Sequence, residues 1–207
     1  MFTASLILCP AVLSGCSAQL GNAENTDAKS QEPISATEIK LNTAVTVTIY
    51  DSQDRDLLTE CMNLCDKYEK IFSRTASDSE LYQLNHRELA PVDGTEDTYQ
   101  VSDSLAELVS EGLNYSEMSE GAFDIAIEPL TSLWDFTAED PQVPKDSLIQ
   151  AALSKCDYHN VSVDKAKNEI TLKTDDTAIE LGAIAKGYIA DRLKDYLVSQ
   201  NVKSAII

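Results

Sequence analysis

Basic residues are scarce in this chain: Lys and Arg number 16 against 35 Asp and Glu, a formal net charge of −19 over 207 residues. A surface that holds nucleic acid sets clustered Lys and Arg against phosphates. This balance excludes nucleic acid as a partner and leaves a solvated acidic surface. Glycine is also sparse, with 7 in all, and none stands in a Gly-x-Gly-x-x-Gly pattern, which removes that dinucleotide-binding signature. Gly182 and Gly187 have the separation of a phosphate loop, but Lys186 precedes the second glycine instead of following it. The stretch is therefore not a Walker A loop. No apolar run reaches the ~20 residues that a spanning helix needs. The composition is otherwise that of a globular protein, 43% apolar and 25% charged, long enough for one domain or most of one. There is no internal repeat.

The apolar residues 1–12 have the length of a signal-peptide core and lead into Leu13-Ser14-Gly15-Cys16. Small residues before a cysteine at the end of such a run look like a bacterial lipobox, with residues 1–16 as lipoprotein signal peptide and Cys16 as the lipidated new N-terminus. Basic residues before the apolar core are missing, and an unprocessed apolar N-terminus is the alternative. Residues 17–37 are Ser, Ala, Gln, Asn, Glu and Asp with almost no large apolar side chains, so they cannot offset their ordering entropy and read as a disordered tether. The folded domain is expected over residues 38–207. With Cys9 in the signal and Cys16 lipidated, Cys61, Cys65 and Cys156 remain, an odd set that makes no disulfide framework. Cys61 and Cys65 lie four apart on the apolar face of a predicted helix. Small buried hydrophobes are the favoured reading, a metal or redox pair the other.

Ala44-Val45-Thr46-Val47-Thr48-Ile49-Tyr50 alternates and predicts a half-buried strand with Val45, Val47 and Ile49 facing in. Asp51 or Ser52 is expected to cap a helix whose stripe runs through Leu57, Leu58, Cys61, Leu64, Cys65, Tyr68, Ile71 and Phe72. Ser77 and Glu80 stand in capping-box spacing before a short helix ending at Asn85, and residues 102–118 carry helical spacing up to a break at Ser119-Glu120-Gly121. A helix is expected from Pro129, with Trp134 in the core beneath the Gly121 turn. Another runs from Asp146 or Ser147 to Cys156. Val161-Ser162-Val163 and Glu169-Ile170-Thr171-Leu172 form a predicted hairpin, and residues 202–207 read as a strand just beginning. Helices and strands interleave irregularly, so the fold class is α+β with mixed sheets and packed helices.

One stretch organises the rest. Residues 177–181 form a short apolar run read as a strand, Gly182 supplies a turn, and Ile184, Tyr188, Ile189, Leu193, Tyr196 and Leu197 give the stripe of a helix ending near Asn201. A helix that opens directly after a glycine turn aims free N–H groups and its positive dipole end at whatever lies above it, which suits a phosphate. A plain turn joining strand to packed helix is the other reading.

Three ordered stretches then resemble one family: Phe72-Ser73-Arg74 with Asp78-Ser79-Glu80-Leu81 and Leu84-Asn85; Gly121-Ala122-Phe123-Asp124 with Pro129-Leu130 and Leu133-Trp134-Asp135-Phe136; and Leu181-Gly182 through Lys186-Gly187-Tyr188 and Asp191. They resemble the FAD:protein FMN transferases, the ApbE-type flavin transferases. The resemblance implies an ApbE-like, T-fold-related domain on a lipid tether at the outer face of the cytoplasmic membrane. It implies an enzyme that takes FAD as substrate, uses Mg2+, and joins FMN through its phosphate to a Thr or Ser hydroxyl of an acceptor protein, releasing AMP. It puts the flavin pocket at Leu41, Thr75, Ala122, Phe123, Asp124, Glu180 and Lys186, and a metal-contacting backbone carbonyl at Ala183. Asp124 and Glu180 would orient ribityl or adenosine hydroxyls, and Phe123 would be an aromatic wall. The family usually has Asp at the position of Glu180, an aromatic residue at Thr75 and Met at Leu41, and it places no catalytic residue at His86 or His159, which read as loop residues. The side-chain metal ligands and any catalytic base are expected beyond Ile207, so residues 38–207 would be the N-terminal and central part of the domain. A non-catalytic flavin-binding or interaction lipoprotein of the cell envelope is the alternative.

Overall fold

A computed structural model describes residues 32–134 and 139–207. The expected signal peptide, Cys16 and the expected tether up to residue 31 lie outside the described residues, as do Asp135 and Phe136.

The chain enters through β1 (Ile34–Lys40), which pairs antiparallel with β2 (Thr43–Ile49) over their whole lengths, Ile34 opposite Ile49 and Lys40 opposite Thr43. The expected tether therefore ends earlier than residue 37: Ile34 is buried and Ile34-Ser35-Ala36-Thr37 already lies in the sheet. Ser35 and Thr37 meet Thr48 and Thr46 through their hydroxyls across the pair, a polar outer face that gives composition alone no strand signal. Two residues, Leu41 and Asn42, turn the hairpin with φ of 54° and 55°, the geometry of a type I′ turn. Asn is at ease there, whereas a left-handed Leu costs on the order of 1–2 kcal/mol. In β2, Val47 and Ile49 are fully buried and Val45 partly, as the alternation predicts.

Helix α1 (Asp56–Phe72) begins later than the Asp51 or Ser52 cap expected for it. Those side chains are engaged elsewhere, Asp51 Oδ2 accepting from Lys203 N at 2.8 Å and Ser52 Oγ from Asp54 N at 3.1 Å. The chain uses residues 50–55 to leave the sheet before helical bonding starts. Its buried face holds Leu57, Leu58, Cys61, Met62, Cys65, Tyr68 and Phe72. Burial pushes the Cys61 thiol up to about 11, so it is a neutral packing group at ordinary pH. Helix α2 (Glu80–Asn85) is capped by Ser79, whose Oγ accepts from Tyr82 N at 3.2 Å, and not by the Ser77/Glu80 box. Glu80 is drawn to the start of α3 (Asp103–Met118), where Ser102 N donates to Oε1 at 2.6 Å and Ser102 Oγ to Oε2 at 2.5 Å.

After α3 the chain reverses through Glu120 (φ 54°) and Gly121 (φ 82°), and Ser116 Oγ accepts from Ile125 N at 3.3 Å, tying the following loop to the helix. The helix expected from Pro129 is a single turn, α4 (Glu128–Thr131). Trp134 falls beyond it and is half-buried, not in the core under Gly121. A short helix α5 (Asp146–Leu153) ends before Cys156 and leads through a 3-10 turn (Tyr158–Asn160) to the hairpin β4 (Val161–Asp164) and β5 (Glu169–Leu172). With β3 (Thr98–Gln100) these form a second antiparallel sheet, order β3-β5-β4. Residues 177–181 form no regular element and belong to neither sheet, a correction to the strand expected there. Helix α6 (Gly182–Ser199) follows, and β6 (Ala205–Ile206) joins β2 to complete the order β1-β2-β6. Helix α6 buries Ala185, Ile189, Leu193 and Leu197 beside α1, and Tyr188 meets Phe72 and Tyr68 edge-on, with ring centroids 5.4 and 5.8 Å apart.

Candidate functional site

The residues just before α6 are held by groups far away in sequence. Asn85, at the end of α2, donates from Nδ2 to the Ile179 carbonyl at 2.9 Å and accepts from Ile179 N at 2.8 Å. Glu180 N donates to the Ile125 carbonyl at 2.8 Å. A side-chain amide imitates a strand neighbour for Ile179, and the loop after α3 does so for Glu180, so backbone polar groups are satisfied without a ladder. Ile179 and Leu181 are fully buried on either side, which turns the Glu180 side chain outward to the start of α6.

There Glu180 Oε1 accepts from Gly182 N at 2.8 Å, satisfying one of the amides a helix start leaves without an internal partner. A Cβ on Gly182 would lie 2.9 Å from that same oxygen, so the absent side chain makes room for the carboxylate. The other oxygen, Oε2, pairs with Arg74 Nε, and Arg74 Nη1 lies 3.6 Å from Glu128 Oε1 in the first turn of α4. Arg74 is set by the turn after α1: Ser73 Oγ accepts from Ala76 N at 3.1 Å, and Ser79 Oγ donates to the Ser73 carbonyl. Burial raises the Glu128 carboxyl above its ordinary value; Arg74 works against that shift and Glu180 adds to it.

These residues border a cavity of about 250 Å³ lined by Leu41, Thr75, Arg74, Glu180, Gly182 and Lys186, with Phe72, Ala185 and Ile189 as its apolar wall. The strained Leu41 turn forms one rim, a position where backbone strain often accompanies ligand contact. Lys186 is exposed and makes no ion pair among the described residues. Of the positions the resemblance assigns to flavin, Leu41, Thr75, Glu180 and Lys186 are brought together here. Ala122, Phe123 and Asp124 are not. Ala122 is exposed, and Phe123 lines a separate shallow depression with Tyr115, Met118, Ala183 and Ile184. Asp124 accepts from Ala126 N at 2.7 Å and from Tyr158 N at 3.1 Å, so both of its oxygens brace the loop that carries Ile125 and Glu128.

Ala183 lies in the first turn of α6, within the helix. Among the described residues no three His, Cys, Asp or Glu side chains converge to hold an ion. Mg2+ asks for near-octahedral oxygen ligation, which one backbone carbonyl does not provide, so the residues present do not fit a magnesium site. His86 stacks on Tyr82 at 3.8 Å and His159 on Tyr158 at 4.0 Å, both away from the cavity lining. Sequence reasoning missed Arg74 and Glu128. Arg74 stood within a motif taken as family signature, and Glu128-Pro129 marked a helix start with an acidic first residue, but nothing local says that the two meet.

The family model described as the ApbE family matches residues 41–207. The chain belongs to the ApbE family. It is 31% identical over 156 residues to a protein of Klebsiella pneumoniae (strain 342) named FAD:protein FMN transferase, covering 75% of this chain and 48% of that one. A protein of the same name from Treponema pallidum (strain Nichols) is 28% identical over 183 residues, 84% of this chain and 49% of its own. The flavin transferase ApbE from Vibrio cholerae superposes with a TM-score of 0.74 at 23% identity, over 84% of this chain and 56% of that one, a likeness of fold. The α+β architecture is thus that of ApbE proteins, and the chain spans about half the length of the curated relatives it matches.

Proposed function

We propose that the protein acts in FAD:protein FMN transfer. The acceptor's Thr or Ser oxygen bonds to the FMN phosphorus of FAD, the bridging P–O bond breaks, AMP leaves with the bridging oxygen, and the hydroxyl proton is released. The observation that carries this reading is the meeting of Leu41, Thr75, Glu180 and Lys186 around one cavity in a chain of the ApbE family. Attack on a pyrophosphate needs a nearby cation and a pocket that holds oxygen and phosphorus in line. Lys186 supplies one positive charge at the start of α6, and Glu180 offers an acceptor for a sugar or ribityl hydroxyl. Mg2+ belongs to this reading through the family resemblance alone, and no step is drawn through it, because these residues do not fit the ion.

Lipidation of Cys16 and anchorage at the outer face of the cytoplasmic membrane are part of the same proposal, supported by Leu13-Ser14-Gly15-Cys16 behind an apolar run. Incubation with FAD, Mg2+ and acceptor fragments carrying Thr or Ser sites is expected to yield an acceptor heavier by one FMN less water. FAD binding without any adduct across several acceptors would leave a flavin-binding lipoprotein instead. Labelled fatty acid should enter the native protein and not Cys16→Ser.

A further inference from the structure

We propose that Arg74 is a positioning residue, which holds the Glu180 carboxylate at the start of α6 by neutralising it together with Glu128; its consequence for flavin affinity rests on the transferase reading. Three observations converge. First, Glu128 and Glu180 approach the same guanidinium, Nε serving Glu180 and Nη1 serving Glu128, with side-chain exposures of 18% and 20% for the carboxylates and 25% for Arg74. Two half-buried carboxylates this close repel each other with little water to screen them. Second, the backbone of Glu180 is fixed independently, through Glu180 N to the Ile125 carbonyl and Ile179 to Asn85. What Arg74 governs is therefore the side chain, whose remaining tie is Oε1 to Gly182 N. Third, Arg74 has a fork where a lysine would have a point charge, and only a fork faces two carboxylates with separate N–H groups in fixed directions.

The family resemblance leads one to expect a shorter carboxylate at the position of Glu180. In this chain the extra methylene lets one carboxylate reach Arg74 while still capping Gly182. Without Arg74, the Glu180 side chain keeps one tie, Oε1 to Gly182 N, against an unbalanced Glu128 carboxylate, and it would swing from Gly182 into solvent. A ligand would then meet a displaced acceptor and an uncapped helix start.

Two readouts test this, one of them independent of flavin. Gly182 is the first residue of α6, so its N–H has no intrahelical acceptor, and its exchange with solvent reports the Glu180 contact directly. Amide exchange at Gly182 and FAD affinity by quenching of flavin fluorescence are measured for the native protein, Arg74→Gln, Arg74→Lys, Glu128→Gln and the double variant Arg74→Gln/Glu128→Gln. Arg74→Gln is expected to speed Gly182 exchange and weaken FAD binding, each by about tenfold, the scale of one lost charge-assisted bond. The double variant should recover most of both, because removing the Glu128 charge removes the repulsion that Arg74 balances. Arg74→Lys should fall between. If the double variant binds FAD as poorly as Arg74→Gln, Arg74 touches the ligand itself and the positioning role is wrong. Unchanged Gly182 exchange in Arg74→Gln overturns it as well. Should the native protein take up no FAD, the transferase reading fails while the exchange pattern still decides the role of Arg74.

Discussion

Two helices of this protein begin beneath a glutamate, and the two beginnings do different work. At α3, Glu80 comes from another helix and spends both oxygens on one residue, Ser102 N and Ser102 Oγ. The Ser102 hydroxyl in turn accepts from Leu105 N, and the arrangement is closed. At α6, Glu180 spends one oxygen on Gly182 N and gives the other to Arg74, beside a cavity and beneath an exposed lysine. Both carboxylates meet the positive end of a helix, which favours them equally by dipole. The difference lies in what surrounds them: a serine hydroxyl completes the first, while a glycine, a guanidinium and open space leave the second available to a ligand. A carboxylate at a helix start is thus structural or functional according to whether the group on its second oxygen closes the arrangement, as the Ser102 hydroxyl does, or borders open space, as Arg74 does.

The largest effect is expected where the two helices touch. A Cβ on Gly112 of α3 would lie 2.5 Å from Ile125 Cγ2 and 3.3 Å from Ile184 Cδ1 in the first turn of α6. Ile125 is fully buried and its carbonyl holds Glu180 N, so Gly112→Ala must move the loop that supports the site. Overpacking of this kind costs about 2–3 kcal/mol, only partly offset by alanine's better helix propensity of about 1 kcal/mol. Denaturant melts should show the loss, and FAD affinity should fall with it. If stability holds, Ile125 has room to shift and the coupling between the two helix starts is looser than the packing indicates.

The contrast itself is broken or kept by paired alanines. Glu80→Ala leaves Ser102 without two acceptor contacts and, because Ser102 is only part-buried, should cost about 1 kcal/mol, with FAD affinity unchanged. Glu180→Ala removes a cap worth about 1 kcal/mol but should weaken FAD by about tenfold or more. Melts with and without FAD separate the two, and similar profiles for both variants would erase the distinction drawn here. A third variant sharpens it: Gly182→Ala places a methyl against Glu180 Oε1, the movable end of a side chain. The fold should therefore survive while flavin binding falls.

What the sequence made legible was whatever its local patterns encode. Ser102 marked the start of α3, alternation marked β2, the residues of β4 and β5 marked their hairpin, and the stripe from Ile184 marked α6. The misreadings have a common cause, a group chosen by a distant partner over its neighbour. Ser77 and Glu80 had capping-box spacing, but Glu80 was taken by Ser102 and Ser79 became the cap. Residues 177–181 had strand composition, but Asn85, 94 positions away, took the hydrogen bonds of Ile179, and the Ile125 carbonyl took that of Glu180. Leu41, Thr75, Glu180 and Lys186 came from the resemblance and do share a cavity. Asp124 came from the same resemblance and is committed to backbone amides. No spacing rule could have joined Arg74 to Glu128 and Glu180, because that meeting depends on where α1, α4 and α6 are packed.

The smallest expected effect concerns Glu128, the acid that shares Arg74 with Glu180 at the α6 start. Its carboxyl lies above the ordinary 4.5, first because burial disfavours the charged form and then because Glu180 adds to the shift, while Arg74 and His86 pull it down. A carboxyl that holds its proton more tightly when folded stabilises the fold fully below the ordinary value, and that contribution is lost as pH rises through the raised value. Glu128→Gln abolishes the titration. Its melting temperature relative to the native protein should therefore improve as pH climbs through the range just above 4.5 and level off once native Glu128 is ionised. In Arg74→Gln, where the strongest opposing cation is gone, the same comparison should extend to higher pH. A Glu128→Gln difference that is flat with pH, or that grows toward acid, would mean Arg74 compensates the buried charge fully and that the ligand corner is as electrostatically settled as the start of α3.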